Sequence, residues 1–227
     1  MPQPLYKQVY DSVLSRITAG DLRAGAMLPN EFDLGAQMGV SQGTARKALI
    51  ELERAGVVER RQGRGTFVTT TTEDRALFHF FRLRHPDGTP AIPEPVSETI
   101  ARRRARAEDR PLGAPHVFEI VRIRAIDGRP TMHERIVVPA DLFPGLPDRT
   151  PLSNALYVLY EGAYGLRVAR AAETLRAVTA GPDDPIAHPG APLLEVQRQA
   201  HALSGQLVEL RWSRYDTSRT GYAVTLT

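Results

Sequence analysis

The hydrophobic rhythm of the chain changes near residue 70. Up to Val68 the apolar positions recur with helical spacing, and beyond about Ala76 they alternate with period two. Leu5, Val9, Val13 and Ile17 stand four apart, with Tyr10 and Leu14 beside them. This predicts an amphipathic helix entered after Pro2 and Pro4 and closed at Gly20. Gly25 and Pro29 read as breaks between helices. A second helix is expected from Asn30, a side-chain cap followed by Asp33 in the manner of a capping box. Leu34 and Met38 form its inner face and Gly39 its stop. A third helix starts at the cap Ser41, turns Ala45, Ala48, Leu49 and Leu52 inward and ends at Gly56. Two short helices joined by a tight turn make a helix-turn-helix. Val57–Arg61, Gln62–Gly65 and Thr66–Val68 then read as strand, glycine turn and strand. The polar stretch Thr69–Asp74 offers nothing to pack and reads as a linker.

The second half reads as an antiparallel sheet with inserted helices. Phe118–Ile126 alternates, Asp127-Gly128 turns the chain, and Thr131–Val138 returns beside it. A helix is expected over Ser153–Tyr164. Strands follow at Val168–Val178, Leu193–Ala202 and Leu207–Tyr215, the last two joined at Ser204-Gly205. The expected architecture is α+β in two domains, residues 1–69 and 76–227, with 70–75 as the connection.

Composition narrows the class. At 227 residues with 42% hydrophobic and 24% charged side chains, the chain matches soluble globular proteins. No apolar run approaches the roughly 20 residues of a membrane helix, and the first residues lack a secretory core, so a cytoplasmic protein is expected. The absence of cysteine excludes disulfides and thiol chemistry. The histidines show no ligand spacing and there is no phosphate-binding glycine loop, so neither metal nor cofactor is expected. The net charge of +3 is compatible with nucleic-acid binding, but its placement is more informative.

A helix that enters the major groove needs polar or cationic groups in front and small apolar ones behind. The third helix has that division, with Gln42, Thr44, Arg46 and Lys47 opposite Ala45 and Ala48. Gln42 and Thr44 sit near its start, where base edges are met, beside Ser41. Arg46 and Lys47 can reach phosphates or guanine. Asn30 and Phe32 open the preceding helix; Phe32 either rests against sugar or thymine methyl or packs inward. At the hairpin tip Gly63 and Gly65 permit close backbone approach, while Arg61 and Arg64 supply charge. Double-stranded operator DNA is the partner these residues suggest. In the second half Arg122 and Arg124 lie two apart on one strand face, the geometry for gripping a carboxylate or phosphate. Glu134 on the paired strand would accept a ligand hydrogen bond or orient an arginine. The alternative is an exposed face laced with Arg–Glu pairs. The run Arg102-Arg103-Arg104-Ala105-Arg106 reads as a second DNA contact, a solvated strand edge or a helix start.

The stretches PLYKQVYDSVLSRITAGDLRAGAMLPNEFDLGAQMGVS and TARKALIELERAGVVERRQGRGTFV resemble the DNA-binding domain of the GntR family of bacterial regulators. The pattern LP-x-E-x-x-L-x-x-x-x-GVS followed by RQGRGTFV carries the resemblance. It implies a winged helix-turn-helix that binds operator DNA as a homodimer. Two positions depart from the family, which often has arginine where this chain has Phe32 and Gln42. Gln42 pairs with adenine where arginine favours guanine, so a different operator is expected. The stretches RIRAIDGRPTMHERIVVP, NALYVLYEGAYGLRVARAAETLRAV and LVELRWSRYDTSRTGY resemble the UTRA effector domain of the HutC subgroup. That resemblance implies a chorismate lyase-like fold that binds a small polar or acidic metabolite. It places the effector contacts on Arg122, Arg124, Glu134, Ser153, Glu209 and Tyr215. The expected function is a ligand-responsive transcription regulator, a repressor, and not an enzyme. The alternatives are an enzyme on the lyase-like fold, for which no catalytic constellation is visible, and a regulator without an effector.

Overall fold

The computed structural model describes residues 3–69 and 82–224. The chain divides into two compact units, one through Thr71 and the other taking most of the chain from Thr72 on. The linker expected at 70–75 lies outside the described residues.

The first unit contains α1 (Leu5–Thr18), α2 (Glu31–Met38), α3 (Gln42–Arg54), β1 (Val58–Arg61) and β2 (Gly65–Val68). Its core is aliphatic. Val9, Val13, Leu34, Ala45, Ala48, Leu49, Leu52 and Val57 are almost fully buried, as the helical periodicity requires. Leu5 departs from the expected stripe and is exposed, because it opens the first turn of α1 beyond the packed turns. Asn30 caps α2 by accepting the Asp33 N–H at 2.9 Å. Only half of a capping box forms, since the Asn30 amide returns a bond to the Asp33 carboxylate at 2.7 Å, a side-chain contact that leaves the cap's backbone N–H out. Ser41 caps α3 through the Thr44 N–H at 3.2 Å. Between the helices Gly39 adopts left-handed backbone, and Val40 turns the chain against Gly35.

β1 and β2 pair from Val58↔Val68 to Arg61↔Gly65. The segment Gly25–Leu28, read as a break between helices, instead extends this wing. Gly25 N–H donates to Val68 O, Val68 N–H to Ala26 O, and Leu28 N–H to Thr66 O, at 2.8–2.9 Å. Thr69 is also no linker residue. It is buried, and its hydroxyl donates to Gly56 O at 2.6 Å and Val57 O at 2.9 Å.

The second unit is built on a six-stranded antiparallel sheet. Its strands are β4 (Glu94–Arg104), β5 (His116–Ile126), β6 (Arg129–Pro139), β7 (Val168–Thr179), β8 (Pro192–Ala202) and β9 (Leu207–Tyr215), in the order β4-β5-β6-β9-β8-β7. A separate small pair joins β3 (Leu83–Arg84) to β10 (Gly221–Tyr222). Helix α4 (Leu156–Tyr164) packs on one sheet face over Phe118, Ile120, Ile136, Val138 and Val208, with Phe143 edge-on to Tyr160 at 4.6 Å. The helix begins three residues later than Ser153, because the Ser153 hydroxyl accepts the Ala155 N–H at 3.1 Å and Ala155 itself is non-helical. β3, β4 and β10 were not expected. β4 hides behind Pro93, Pro95 and a polar composition, and it lies at the sheet edge, where proline and a bulge are tolerated.

Candidate nucleic-acid interface and buried binding site

The packing of α2 on α3 determines which side chains the first unit presents outward. Gln42, Arg46 and Lys47 are exposed along α3 while Ala45 and Ala48 are fully buried behind them. Thr44 is half-buried, its hydroxyl 2.9 Å from Ser41 Oγ, so both serve the helix cap. Lys47 lies over the Tyr6 ring at 4.1 Å. Arg46 is anchored by Glu31, with Nε donating to Oε2 at 2.8 Å, and Arg60 reaches the other Glu31 oxygen at 3.4 Å. Glu31 thus organises two cations at the start of α2. Sequence reading missed it, because its cationic partners stand fifteen and twenty-nine residues further along the chain. Phe32 is 70% exposed, which excludes the inward-packed alternative.

At the wing, Gly63 and Arg64 are exposed at the tip. Arg61 is held by Glu59 at 2.8 Å and stacks on Phe67 at 4.6 Å. Gly65 has left-handed backbone and leaves just enough room for Met27, whose sulfur would lie 3.4 Å from an added Cβ. Asn30, Phe32, Ser41, Gln42, Thr44, Arg46 and Lys47 therefore belong to one helix pair, with Arg61, Gly63, Arg64 and Gly65 on the wing beyond it.

In the second unit, sheet register gathers charge on the face below α4. Arg122 opposes Glu98 on β4 and Glu134 on β6, Glu134 opposes Ser213 on β9, and Arg211 opposes Arg198 on β8. Arg198 in turn opposes Glu173 on β7. Directly opposed residues share a face, so these side chains converge. Arg124 and Glu209 are on the same face by period two. The alternative, an exposed face of Arg–Glu pairs, is not found. Arg124, Glu134 and Glu209 are each 1% exposed or less.

Every charge in the cluster is answered. Glu209 receives two donors from Arg211, at 2.9 and 2.8 Å, together with the hydroxyls of Tyr157 at 2.9 Å and Tyr160 at 2.8 Å. Glu134 accepts from Arg211 at 3.0 Å, Arg124 at 3.3 Å and Ser213 at 3.4 Å. Arg124 also donates to Pro93 O at 3.3 Å and to the Asn154 side-chain oxygen. Of its two register partners, Arg122 pairs with Glu98, and it reaches Ser153 O at 3.1 Å. Arg198 binds Glu173 at 2.6 Å, and the Tyr222 hydroxyl donates to the same carboxylate at 2.8 Å. Burial alone would raise the Glu134 carboxyl, but the charges of Arg211, Arg124, Arg122 and Arg198 outweigh it and hold the group below the ordinary range. Burial, reinforced by Glu209, pushes the Tyr160 phenol up, so it stays a donor.

The sheet brings Arg122, Arg124, Glu134 and Glu209 together on one face, with Tyr215 buried beside them. Ser153 joins through its carbonyl, its hydroxyl being spent on the turn before α4. Glu98, Asn154, Tyr157, Tyr160, Glu173, Arg198 and Arg211 were not singled out, although period two from Glu209 pointed to Arg211. The arginine run is divided by the sheet. Arg103 turns inward to Asp109 and to Glu119 at 2.8 Å on the opposite face, and Arg106 lies 3.5 Å from Glu119. Arg103 is therefore tied into an ion-pair network with Asp109 and Glu119. No helix among the described residues is long and apolar enough to cross a membrane.

These geometries agree with what the chain is similar to. The sequence pattern of bacterial regulatory proteins of the gntR family matches residues 5–68, and that of the UTRA domain matches residues 94–220. The transcriptional regulator SmoD of Agrobacterium fabrum is 27% identical over 225 residues, covering 96% of this chain and 94% of that protein. The mannosyl-D-glycerate transport/metabolism system repressor MngR of Escherichia coli is 30% identical over 158 residues, 63% of this chain and 62% of that protein. The ligand-binding domain of a proposed GntR-family regulator from Bordetella bronchiseptica superposes with a TM-score of 0.58 at 30% identity, covering 65% of this chain and 97% of that one. A helix-turn-helix that presents Arg46 and Lys47 outward, with a wing, followed by a sheet-borne polar cluster matched by the UTRA pattern, identifies the chain as a member of the GntR family of DNA-binding transcriptional regulators.

Proposed function

We propose that the protein is a ligand-responsive repressor that binds a pseudo-palindromic operator as a homodimer and is modulated by a small polar or acidic metabolite. The observation that carries the reading is the buried cluster of Arg122, Arg124, Glu134, Arg198, Glu209 and Arg211 below α4. Burying so many charges is costly, and apolar residues would hold a sheet together as well or better. A site that must recognise a polar molecule justifies that cost, and Arg122, Arg124, Glu134, Ser153, Glu209 and Tyr215 are its candidate contacts. The name of MngR refers that relative to mannosyl-D-glycerate, whose glycerate part carries a carboxylate, which supports an anionic ligand here.

At the other site Gln42, Thr44, Arg46 and Lys47 read base edges and phosphates, with Asn30, Phe32 and Ser41 at the helix starts. The wing residues Arg61, Gly63, Arg64 and Gly65 grip the adjacent backbone or minor groove. One such head covers one half-site, so two copies are needed for a specific operator. Metabolite binding then alters operator affinity as a coupling between two sites.

The test is operator selection from random duplex DNA, followed by fluorescence anisotropy against salt and against a panel of acidic and phosphorylated metabolites. The expected result is a palindromic consensus, a log–log salt slope of about −0.9 for each phosphate neutralised, and at least one metabolite that shifts the operator affinity. Selection of no consensus sequence sinks the DNA half of the proposal. A consensus that no metabolite perturbs sinks the sensing half.

A further inference from the structure

Glu98 stands out among the carboxylates of the buried cluster by what grips it. One oxygen receives both Nε and Nη2 of Arg122, at 2.7 and 2.6 Å. The other accepts the Leu152 main-chain N–H at 3.0 Å. A nearly buried guanidinium together with a backbone N–H is the donor set with which proteins hold the carboxylate, phosphate or sulfonate of a ligand. In this structure that donor set is filled by the protein's own side chain. Glu98 sits on β4, at the edge of the sheet, between the exposed Ser97 and Thr99. Glu134 and Glu209, by contrast, belong to central strands and are wholly buried.

Charge counting gives the same indication. Arg122, Arg124, Arg198 and Arg211 face Glu98, Glu134, Glu173 and Glu209, and each carboxylate is paired with one or more of those arginines. These eight charges balance one another; Arg82, a third exposed, adds a cation 3.9 Å from Glu173, at the sheet edge opposite the one that carries Glu98. An anion added to a neutral, water-poor cluster would be uncompensated, which is strongly unfavourable. If instead Glu98 turns outward to water at the sheet edge, the cluster gains one positive charge, and an incoming oxyanion restores the balance on the same donors.

We propose that Glu98 is a built-in surrogate for the anionic group of the ligand. The ligand's carboxylate, phosphate or sulfonate exchanges with the Glu98 carboxylate on Arg122 and the Leu152 N–H. This inference rests on the reading of the cluster as the ligand site, and it adds the chemical class of the group recognised and the residue that competes with it. It also places the exchange on the segment leading into α4, since Leu152, Ser153 and Asn154 are all tied to Glu98, Arg122 or Arg124.

The experiment is calorimetric titration of the full-length protein with inorganic phosphate, sulfate and acetate in separate arms. The wild type is compared with Glu98→Gln, which removes the competing charge while keeping one acceptor oxygen, for either Arg122 or the Leu152 N–H. Glu195→Gln is the control, because it removes the same charge from the opposite face, where Glu195 pairs with Arg214. Phosphate should bind Glu98→Gln at least about tenfold more tightly than wild type, a charge-assisted contact regained. Glu195→Gln should match wild type, and adding Arg122→Gln to Glu98→Gln should abolish the gain. The sulfate and acetate arms rank the oxyanions that the exchange accepts. If thermal melting shows that Glu98→Gln is unfolded, Glu98→Asp replaces it, with a smaller gain in the same direction. Equal or weaker anion binding by the folded variant overturns the proposal. A phosphate gain in Glu98→Gln without any metabolite effect on the operator complex supports the exchange and removes the sensing role. A metabolite effect on the operator complex without a phosphate gain does the reverse.

Discussion

Arg46 and Glu31 illustrate how a reading residue is aimed. Arg46 is 60% exposed yet fixed through Nε, leaving the rest of its guanidinium free to meet DNA, while Glu31 is largely covered at 18%. Arg46→Ala should weaken operator binding by about 1–3 kcal/mol, the usual worth of a specific arginine contact. It should leave metabolite binding unchanged, because Arg46 lies in the first unit and the polar cluster in the second. Anisotropy on consensus and scrambled duplexes, with calorimetry for the metabolite, checks both points; equal loss of the two activities would contradict a division of labour. Glu31→Gln should act differently. It releases Arg46, leaves Arg60 with Glu53 alone at 3.3 Å, and removes a charge that repels phosphate, so affinity for scrambled DNA rises while the ratio of specific to non-specific affinity falls. Arg46 was legible in the sequence because it follows helical periodicity from Ser41. Its orienting partner was not, since nothing in a linear pattern brings residue 31 to residue 46. The same limit applied to Arg122, whose partner Glu98 became visible only when β4 was placed beside β5.

At the level of elements, the helix-turn-helix depends on the close approach of α2 to the turn that follows it. Val40 N–H donates to Gly35 O at 2.9 Å, and a Cβ added at Gly35 would lie 2.9 Å from Val40 O, a backbone atom that cannot step aside. On an unobstructed helix Gly→Ala stabilises by roughly 1 kcal/mol. Here overpacking at about 1–3 kcal/mol should prevail. Gly35→Ala is therefore expected to lower the melting temperature of the helical unit, by about 4–8 °C per kcal/mol for a unit of this size. A rise in melting temperature would mean that the turn relaxes freely. Helix boundaries here were legible because Asn30, Ser41, Gly39 and Gly56 have strong local preferences as caps and stops. The hairpin Phe118–Val138 was legible for the same reason, through Asp127-Gly128, both of which take left-handed backbone. The wing's third segment and β4 were not. Gly25–Leu28 is held by backbone bonds to β2, to which side-chain pattern contributes nothing, and β4 carries Pro95, which argues against a strand except at an edge.

Across the whole molecule, acidic groups are distributed unevenly between the two units, and this makes their acid stability differ. The first unit is held by an aliphatic core whose fully buried members carry no carboxylate. The second unit buries Glu134, Glu209 and Asp109. Glu134 is held below its ordinary value of 4.5, because the arginines around it outweigh the burial that would raise it. On the other sheet face burial likewise works to raise Asp109 and Glu119, but Arg103 overrides it and holds both down. A carboxyl whose value is depressed by folding takes up its proton more readily in the unfolded chain. It contributes stability above its unfolded value, and that stability is lost as the pH falls through the folded value. Each unit of depression is worth about 1.4 kcal/mol. The second unit should therefore lose its structure first as the pH is lowered below about 4.5, with the helical unit persisting to lower pH. Two signals separate them in the intact protein. Trp212 is the sole tryptophan, placed on β9 under the Arg135 guanidinium at 3.9 Å, and its fluorescence follows the second unit. Far-ultraviolet helicity is dominated by α1, α2 and α3 and follows the first. Acid titration should give a tryptophan transition at higher pH than the loss of helix, and coincident transitions would show that buried ion pairs do not set the order in which the units fail.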